Sequence, residues 1–367
     1  MKRGLIQWNK NEVPEREFES RIEKVKRLMK SREVDAVAIY GDASQSGNLT
    51  YLTNFFPYAD TGLFVLPMAK LPRLFTTHAY RNIPWFNTIT WVKDIVCTDD
   101  IGGECVKFLN SVNLAGKKIG LIDSRSFPYP IYSSLQDGVT GDYVDLTEDF
   151  EKIRMIKSKA ELEFTEKAAQ IAGMSFEKIK KTFRPGVSGF ELAAEAELIA
   201  RMHGAEDVLF LIQPDSSPLG LSLPTPDPIE RVCAVEISVE YQGYWAKLGR
   251  TLASVDAPRE YAAKLAEFVQ CYQNTVKELR VGSTFSSWAS ALHSQFKKID
   301  GFEELEVYFD PGLEPYWGVH RKKDRVFQND MVFYTKVILS LKEQLQMALT
   351  DTYLFKNYVL FHPADLG

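Results

Sequence analysis

Long apolar runs, paired cysteines and a large excess of either charge are all missing from this 367-residue sequence. No stretch approaches the roughly 18 apolar residues that a membrane helix needs, so we expect no membrane association. The four cysteines form no C-x-x-C pair and show no zinc-finger spacing with the five histidines. A net charge of −5 provides no overall attraction to nucleic acid. These absences exclude the commonest membrane, zinc-finger and nucleic-acid-binding classes.

The N-terminal stretch MKRGLIQWNK contains basic residues but no apolar core of the kind that a signal peptide carries. We interpret the four cysteines as reduced thiols, and together these features predict a cytoplasmic protein. A chain of this length with 45% hydrophobic residues is too long for one typical core. We therefore predict two domains, over residues 1–150 and 151–367.

The first predicted domain alternates short apolar runs with helical segments, which is typical of an α/β fold. Apolar residues at helical spacing predict a helix over residues 16–33, and the run DAVAIYG predicts a strand over 35–41. Residues 49–56 and the segments TGLFVLPM and LPRLFTTH are also strand-like. We therefore expect strands and helices to alternate throughout residues 1–150.

The second predicted domain begins with helices and ends with strands, which indicates an α+β fold. Alanine- and glutamate-rich segments predict helices over 158–183 and 188–202, with Ser188 as N-cap of the second. An alternating stretch that turns at Gln242 and Gly243 predicts a β-hairpin. A further helix is expected over 257–279, and strands follow it.

Four stretches resemble the creatinase/aminopeptidase P family and occur in the family's order. They are DAVAIYGDASQSGNLTYLTNF (35–55), FEKIRMIKSKAELEFTEKAAQIA (150–172), RPGVSGFELAAEAELIARMHGAE (184–206) and VEISVEYQGYWAKLGRTL (235–252). With weaker matches, the resemblance runs from about residue 16 to about residue 355. It implies a ribonuclease H-like creatinase N-terminal domain, followed by a pita-bread domain with a curved antiparallel sheet.

Peptidases of this family hold two divalent metals with two aspartates, one histidine and two glutamates. Such ligands hold a metal pair that activates water and polarises an amide. The matching positions here are Glu236, Lys247, Leu313, Lys336 and Thr350. Only Glu236 keeps a carboxylate, and a charged lysine repels cations instead of binding them. The resemblance therefore implies that this chain holds no metal pair, and we expect no other cofactor.

Metal-free members of the creatinase type use a histidine on the segment before the hairpin. The sequence has no histidine between His203 and His293. The resemblance therefore does not imply creatinase activity either.

The positions that match the family's pocket supply our candidate site residues. The catalytic candidates are Glu236, Lys247, His320, Lys336 and Asp351, and the substrate-binding candidates are Tyr241, Tyr244, Arg250, Leu313, Thr350 and Trp317. We expect these side chains to converge on one pocket.

Two interpretations of the lysines stay open at this point. In one, Glu236, Lys247 and Lys336 form an ion-pair plug that fills the former metal void. In the other, the ammonium groups bind an anionic substrate group and His320 transfers protons. One lysine could instead be a nucleophile or base whose pKa the other lowers.

Three functions compete on this basis. The first is a metal-independent, hydrolase-like enzyme acting on a C–N bond of a small carboxylate-bearing molecule, or a binder of one. The second is an inactive pseudopeptidase that serves as a binding module, and the third is an Xaa-Pro aminopeptidase or dipeptidase. We expect a small-molecule or short-peptide ligand, and the resemblance implies a homodimer.

Overall fold

A computed structural model describes residues 8–214, 220–310, 324–342, 345–357 and 359–362. The chain divides after Arg154 into two compact units; the sequence predicted a division at residue 150. Over the described part of the chain, no helix is both long enough and apolar enough to cross a membrane.

The N-terminal unit contains a mixed sheet with helices between its strands. Its described strands are β1 (Ala36–Asp42), β2 (Thr61–Pro67), β3 (Arg73–Thr76), β4 (Ile95–Cys97), β5 (Lys117–Ile122) and β6 (Gly141–Asp145). They lie in the order β4-β3-β2-β1-β5-β6. Its described α-helices are α1 (Glu15–Arg32), α2 (Gly47–Thr53), α3 (Ile83–Ile89), α4 (Ile101–Ser111), α5 (Tyr129–Gly138) and α6 (Thr147–Met155), which ends at the unit boundary.

The strand expected over residues 49–56 is wrong, because most of this segment forms α2. Its threonines and tyrosine favour strands. However, Leu49 and Leu52 lie one helical turn apart and are both buried in the core of the unit. Asn54 then ends the helix in the left-handed conformation, with a φ of 57°. Tertiary packing has overridden local propensity here.

The C-terminal unit is built on one large sheet with helices packed against it. Its described strands are β7 (Val187–Ser188), β8 (Asp207–Pro214), β9 (Pro228–Ile229), β10 (Val232–Tyr241), β11 (Tyr244–Ala253), β12 (Phe302–Asp310), β13 (Val332–Leu341), β14 (Leu345–Lys356) and β15 (Val359–Phe361). The large sheet has the order β12-β13-β14-β11-β10-β8, with β15 on β14, and its strand pairs are antiparallel.

The described helices of this unit are α7 (Lys159–Thr182), α8 (Gly189–Met202), α9 (Arg259–Val276) and α10 (Phe285–Phe296). Three of these four described helices begin at a residue whose side chain caps the helix, whereas α9 follows Pro258 without such a cap. Ser158 and Glu161 form a capping box at the start of α7. The predicted N-cap Ser188 is confirmed, since its hydroxyl accepts the backbone N–H of Glu191. The predicted hairpin is also confirmed, with β10 ending and β11 beginning around Gln242–Gly243.

The large sheet has two chemically different faces, because successive side chains of a strand point to opposite sides. One face carries apolar residues that pack against helices, among them Val235, Ile237, Leu248, Val337 and Leu349. We call it the helix face. The opposite face, here the polar face, carries Glu236, Ser238, Glu240, Lys247, Lys336, Thr350 and Thr352. The residues of both faces named here are buried.

Candidate functional site

Strand register brings four of the predicted site residues together on the polar face. Lys336 on β13 is paired with Thr350 on β14, Thr350 with Gly249 on β11, and Gly249 with Glu236 on β10. Glu236, Lys336 and Thr350 therefore lie in one row across four strands. Lys247 lies on the same face of β11, two residues before Gly249. We call these four side chains the polar-face cluster.

The carboxylate of Glu236 is the centre of this cluster. The Lys336 ammonium lies 3.1 Å from its Oε2 atom, and the Thr350 hydroxyl donates to the same oxygen at 2.7 Å. Glu236 is only 2% exposed and Lys336 only 9% exposed. Burying an ion is costly unless it is paired and hydrogen-bonded. Here the carboxylate is both, so the pair can persist in the interior.

Gly249 makes room for this arrangement at the middle of the row. A Cβ atom at this position would lie 3.0 Å from the Cβ of Thr350 and 3.0 Å from the carbonyl oxygen of Val235. Both distances are tighter than ordinary van der Waals contact. Glycine therefore allows Thr350 to approach β10 closely enough to reach Glu236.

Lys247 is the most deeply buried cation of the cluster, with 2% exposure. Its Nζ atom lies 5.0 Å from the centroid of the Tyr334 ring, within cation–π range. Burial, the largest effect, lowers the pKa of Lys247, while the carboxylates of Asp310 and Glu236 act to raise it and Lys336 lowers it further. The Glu236 carboxylate therefore attracts both lysines, and Asp310 also attracts Lys247.

The donor set on the polar face does not fit a pair of divalent metals. Such a pair is normally held by several carboxylates and an imidazole. Of the four cluster residues, Glu236 alone offers a carboxylate, and two others are ammonium groups. Within the described ranges, no group of three or more His, Cys, Asp or Glu side chains could hold a metal ion.

Asp351 and Arg250 do not join the polar-face cluster, so the expectation of a single convergent pocket is corrected for them. Each is adjacent in sequence to a polar-face residue, and strand alternation therefore directs it to the helix face. There the guanidinium of Arg250 lies 2.7 Å from Oδ1 of Asp351. His362 Nε2 lies 2.8 Å from the same oxygen, and the Tyr353 hydroxyl donates to Oδ2 at 3.2 Å. We call these four residues the helix-face cluster.

The helix-face cluster stabilises an ionised Asp351. Burial acts to raise the pKa of this carboxyl, but Arg250 and His362 together outweigh burial and hold the pKa below its usual value. Burial raises the pKa of the neighbouring tyrosines, Tyr272 and Tyr353, well above the ordinary value. Both therefore remain neutral hydrogen-bonding groups, and the arrangement is that of a structural network.

Tyr241 and Tyr244 also lie on the helix face, at the tip of the β10–β11 hairpin. Both rings pack near Phe164 of α7, with centroid distances of 6.5 and 5.6 Å. The Tyr244 hydroxyl donates to Glu161 at 2.9 Å. These contacts connect the hairpin to α7.

Three predicted site residues, Leu313, Trp317 and His320, lie outside the described residues. The predicted roles of all the site residues stay predictions.

Sequence reasoning missed three residues that interact with the predicted ones, Asp310 and Tyr334 with Lys247 and His362 with Asp351. Asp310 lies three positions before Leu313, one of the matched ligand positions, which was a usable signal for a site residue. Tyr334 precedes Lys336 by two positions, so strand alternation could have placed both on one face. His362 had no motif around it, and only the pairing of β15 with β14 brings its chain segment to Asp351.

Two family models match the chain. The model described as Creatinase/Prolidase N-terminal domain matches residues 21–156, and the model described as Metallopeptidase family M24 matches residues 163–356. The resemblance inferred from the four sequence motifs is therefore confirmed.

Individual relatives have low sequence identity but cover most of the chain. The uncharacterized peptidase YqhT of Bacillus subtilis is 26% identical over 318 residues, which span 80% of this chain and 84% of the relative. The Xaa-Pro dipeptidase of Pyrococcus horikoshii is 23% identical over 271 residues, 72% of either chain.

Solved structures with the same fold include an Xaa-Pro dipeptidase from Bacillus anthracis and an X-Pro aminopeptidase from Thermotoga maritima. The first has a TM-score of 0.77 at 19% identity and covers 95% of this chain and 97% of its own. The second has a TM-score of 0.78 at 18% identity, with coverages of 93% and 96%. At such identities the likeness establishes the two-domain creatinase and pita-bread fold.

Proposed function

The chain belongs to metallopeptidase family M24, and we propose that it is a metal-independent pseudopeptidase that binds short peptides or small carboxylate-bearing molecules. One observation carries this proposal. Glu236 is the one carboxylate retained among the expected metal-ligand positions, and its Oε2 atom is bonded to both Lys336 and Thr350.

Electrostatics argues against a metal pair beside these lysines. Two unit charges about 4 Å apart interact by about 4 kcal/mol at an effective dielectric constant of 20. A dication at that distance from one ammonium group would therefore be opposed by roughly 8 kcal/mol. Two ammonium groups on one buried face increase this penalty.

With the neighbouring Asp310, the polar-face cluster has two cations and two carboxylates, so these four charges balance without a metal. The ammonium groups of Lys247 and Lys336 are matched by the carboxylates of Glu236 and Asp310, which act on Lys247. Both lysines, Glu236 and Asp310 are buried. This supports the interpretation that the lysines fill the space and supply the positive charge of the former metal site.

The proposed ligand class comes from chemistry and from the relatives. The relative from Pyrococcus horikoshii is named an Xaa-Pro dipeptidase, and a dipeptide carries a free carboxylate. An ammonium group has three N–H donors, so a lysine at this position is chemically suited to bind a carboxylate. We carry over the short-peptide ligand from the relatives but not their metal-dependent hydrolysis.

A metal-independent enzyme acting on a C–N bond is the second candidate. The lowered pKa of Lys247, which burial causes, favours it. A lowered pKa makes the neutral amine easier to form, and a neutral amine can accept a proton or attack a carbonyl carbon. Release of product from a bound dipeptide in metal-free buffer would favour this candidate over the pseudopeptidase.

A combined binding and turnover experiment tests the proposal. Protein freed of metal is titrated calorimetrically with Xaa-Pro dipeptides, and the same mixtures are analysed for free proline with and without Mn²⁺ or Co²⁺. We expect binding without product, and weaker binding in Lys336→Met and Lys247→Met. Lys356→Met is the matched control, because Lys356 on the same sheet pairs with Glu166 instead. Mn²⁺-dependent release of proline would overturn the proposal.

The proposal includes a homodimer, which the family resemblance implies, in the cytoplasm, which the interpretation of the cysteines as reduced thiols predicts. Light scattering on the purified protein measures the first, and a fluorescent fusion in the source cells measures the second.

A further inference from the structure

The contact between β11 and β14, which joins the two halves of the large sheet, has an unusual construction. Regular pairing between these strands is confined to Gly249 with Thr350 and Arg250 with Leu349. The neighbouring strands β10 and β11, by contrast, pair without interruption from Val232 with Ala253 to Tyr241 with Tyr244. We call the β11–β14 contact the seam.

Beyond each end of these two pairs, a threonine hydroxyl bonds to backbone groups that would otherwise pair directly across the seam. The Thr352 hydroxyl accepts the backbone N–H of Lys247 at 2.7 Å and donates to the carbonyl of Lys247 at 2.9 Å. On the other side, the Thr251 hydroxyl accepts the backbone N–H of Ala348 at 2.8 Å and donates to its carbonyl at 3.2 Å. One hydroxyl comes from each strand, so the arrangement is nearly symmetric.

This construction keeps the two strands apart while satisfying their backbone groups. A buried backbone N–H or C=O without a partner is costly. Each hydroxyl supplies one acceptor and one donor, which is what a separated strand position needs. Both threonines are buried. The hydroxyl bonds therefore take the place of direct pairing beyond the Gly249–Thr350 pair at one end and beyond the Arg250–Leu349 pair at the other.

The two threonines bond to the backbone of chemically different residues. Thr352 binds both backbone groups of Lys247, the buried cation of the polar-face cluster. Thr251 makes equivalent bonds to Ala348, which has no charged group. We infer that Thr352 is a positioning residue, which sets the place of Lys247 relative to Glu236 and Asp310. Thr251 is its structural counterpart with no role toward the cluster.

Lys247 is positioned by the Thr352 hydroxyl on one edge of β11 and by the ladder with β10 on the other. The β10 pairing fixes Lys247 opposite Ser238 on one edge. The other edge faces β14, where the Thr352 hydroxyl takes the place of the direct backbone contact. Without the hydroxyl, the buried backbone N–H and C=O of Lys247 must bond to water, or β14 must move closer to β11 and pair with them directly. Either change alters the surroundings of its ammonium group.

The test compares Thr352→Val with Thr251→Val, since valine keeps the shape of threonine and removes the hydroxyl. The readout is the pH titration of the Lys247 side chain by NMR on ¹³Cε-labelled lysine, with Lys247→Met to assign the signal. We expect both valine variants to lower the melting temperature. Thr352→Val alone should raise the titration midpoint of Lys247, by at least about 0.5 unit, because water reaches the ammonium group. Thr352→Ser should restore the midpoint.

The inference would be overturned if Thr352→Val left the titration midpoint of Lys247 unchanged, or if Thr251→Val shifted that midpoint equally. Should Thr352→Val fail to fold, Thr352→Ala provides the same comparison against Thr251→Ala. The readout needs no ligand and no turnover. The inference can therefore fail while the proposed binding function stands, and the reverse also holds.

Discussion

Two buried charge clusters lie on opposite faces of the same sheet, and adjacent residues belong to different clusters. Thr350 joins Glu236 and Lys336 on the polar face, whereas Asp351 joins Arg250, with His362 and Tyr353, on the helix face. The helix-face cluster lies where helices pack against the sheet and has the properties of a structural network. The polar-face cluster occupies the positions where relatives are expected to hold metals. Burial and ion pairing alone therefore do not identify a functional site.

The largest effect should come from breaking the helix-face cluster with Arg250→Met. Removing Arg250 leaves the buried Asp351 carboxylate with weaker partners, and such changes cost several kcal/mol. We expect a loss of about 3 kcal/mol in the free energy of unfolding, measured with urea. Ligand binding should be unchanged under conditions where the variant is folded. A loss below about 1 kcal/mol would show that this cluster is not a structural support.

Lys336→Met should have the next largest effect on stability. It leaves the buried Glu236 without its paired cation, although Thr350 still donates to the carboxylate, and we expect a loss of about 2 kcal/mol. The double variant Lys336→Met with Glu236→Gln should recover most of that loss, because it removes both charges. Urea unfolding of the two variants measures the difference. A double variant no more stable than the single one would contradict the ion-pair account of the polar face.

Gly249→Ala should destabilise the protein by about 1–2 kcal/mol, because the added methyl group crowds Thr350 and the Val235 carbonyl. Thermal unfolding measures the loss. Gly189→Ala is a useful comparison at a helix start, where the added Cβ would also meet backbone atoms at 3.0 Å. We expect weaker ligand binding only in Gly249→Ala. Equal ligand binding in the two variants would show that Thr350 does not contribute to the proposed binding site.

The smallest expected effect is the pH dependence that Asp351 contributes. Its pKa is lower in the folded protein than in the unfolded chain. The unfolded chain therefore takes up this proton first, and the stabilisation present near neutral pH is lost as pH falls below about 4. We expect the stability difference between wild type and Asp351→Asn to shrink by roughly 1 kcal/mol between pH 6 and pH 3. A difference that grows over this range would contradict the assigned direction.

The sequence predicted much of the fold because its motifs occur in the family's order and its helix caps are local signals. The hairpin at Gln242–Gly243 and the N-cap at Ser188 needed only neighbouring residues. The segment at Leu49–Leu52 was mispredicted because packing, which is not local, decided its structure. Motif matching likewise grouped Asp351 and Arg250 with the pocket, although strand alternation places them on the other face.

The polar-face residues were identifiable from the sequence, but their bonds were not. Two lysines at expected ligand positions indicated a changed site without showing what they contact. Only the register across β10, β11, β14 and β13 shows that Lys336 and Thr350 share one oxygen of Glu236. The hydroxyl bridges of Thr251 and Thr352 likewise depend on a strand separation that no sequence pattern reports.

Elemental analysis is the most direct test of the central claim, that a lysine–glutamate cluster has replaced the metal pair. The full-length protein is incubated with excess Mn²⁺, Co²⁺, Zn²⁺ or Fe²⁺, freed of unbound metal by gel filtration and analysed by mass spectrometry. Lys247→Asp with Lys336→Glu, which restores carboxylates at two expected ligand positions, is measured in parallel. The account predicts no stoichiometric metal in the wild-type protein, whereas two metals per wild-type chain would contradict it.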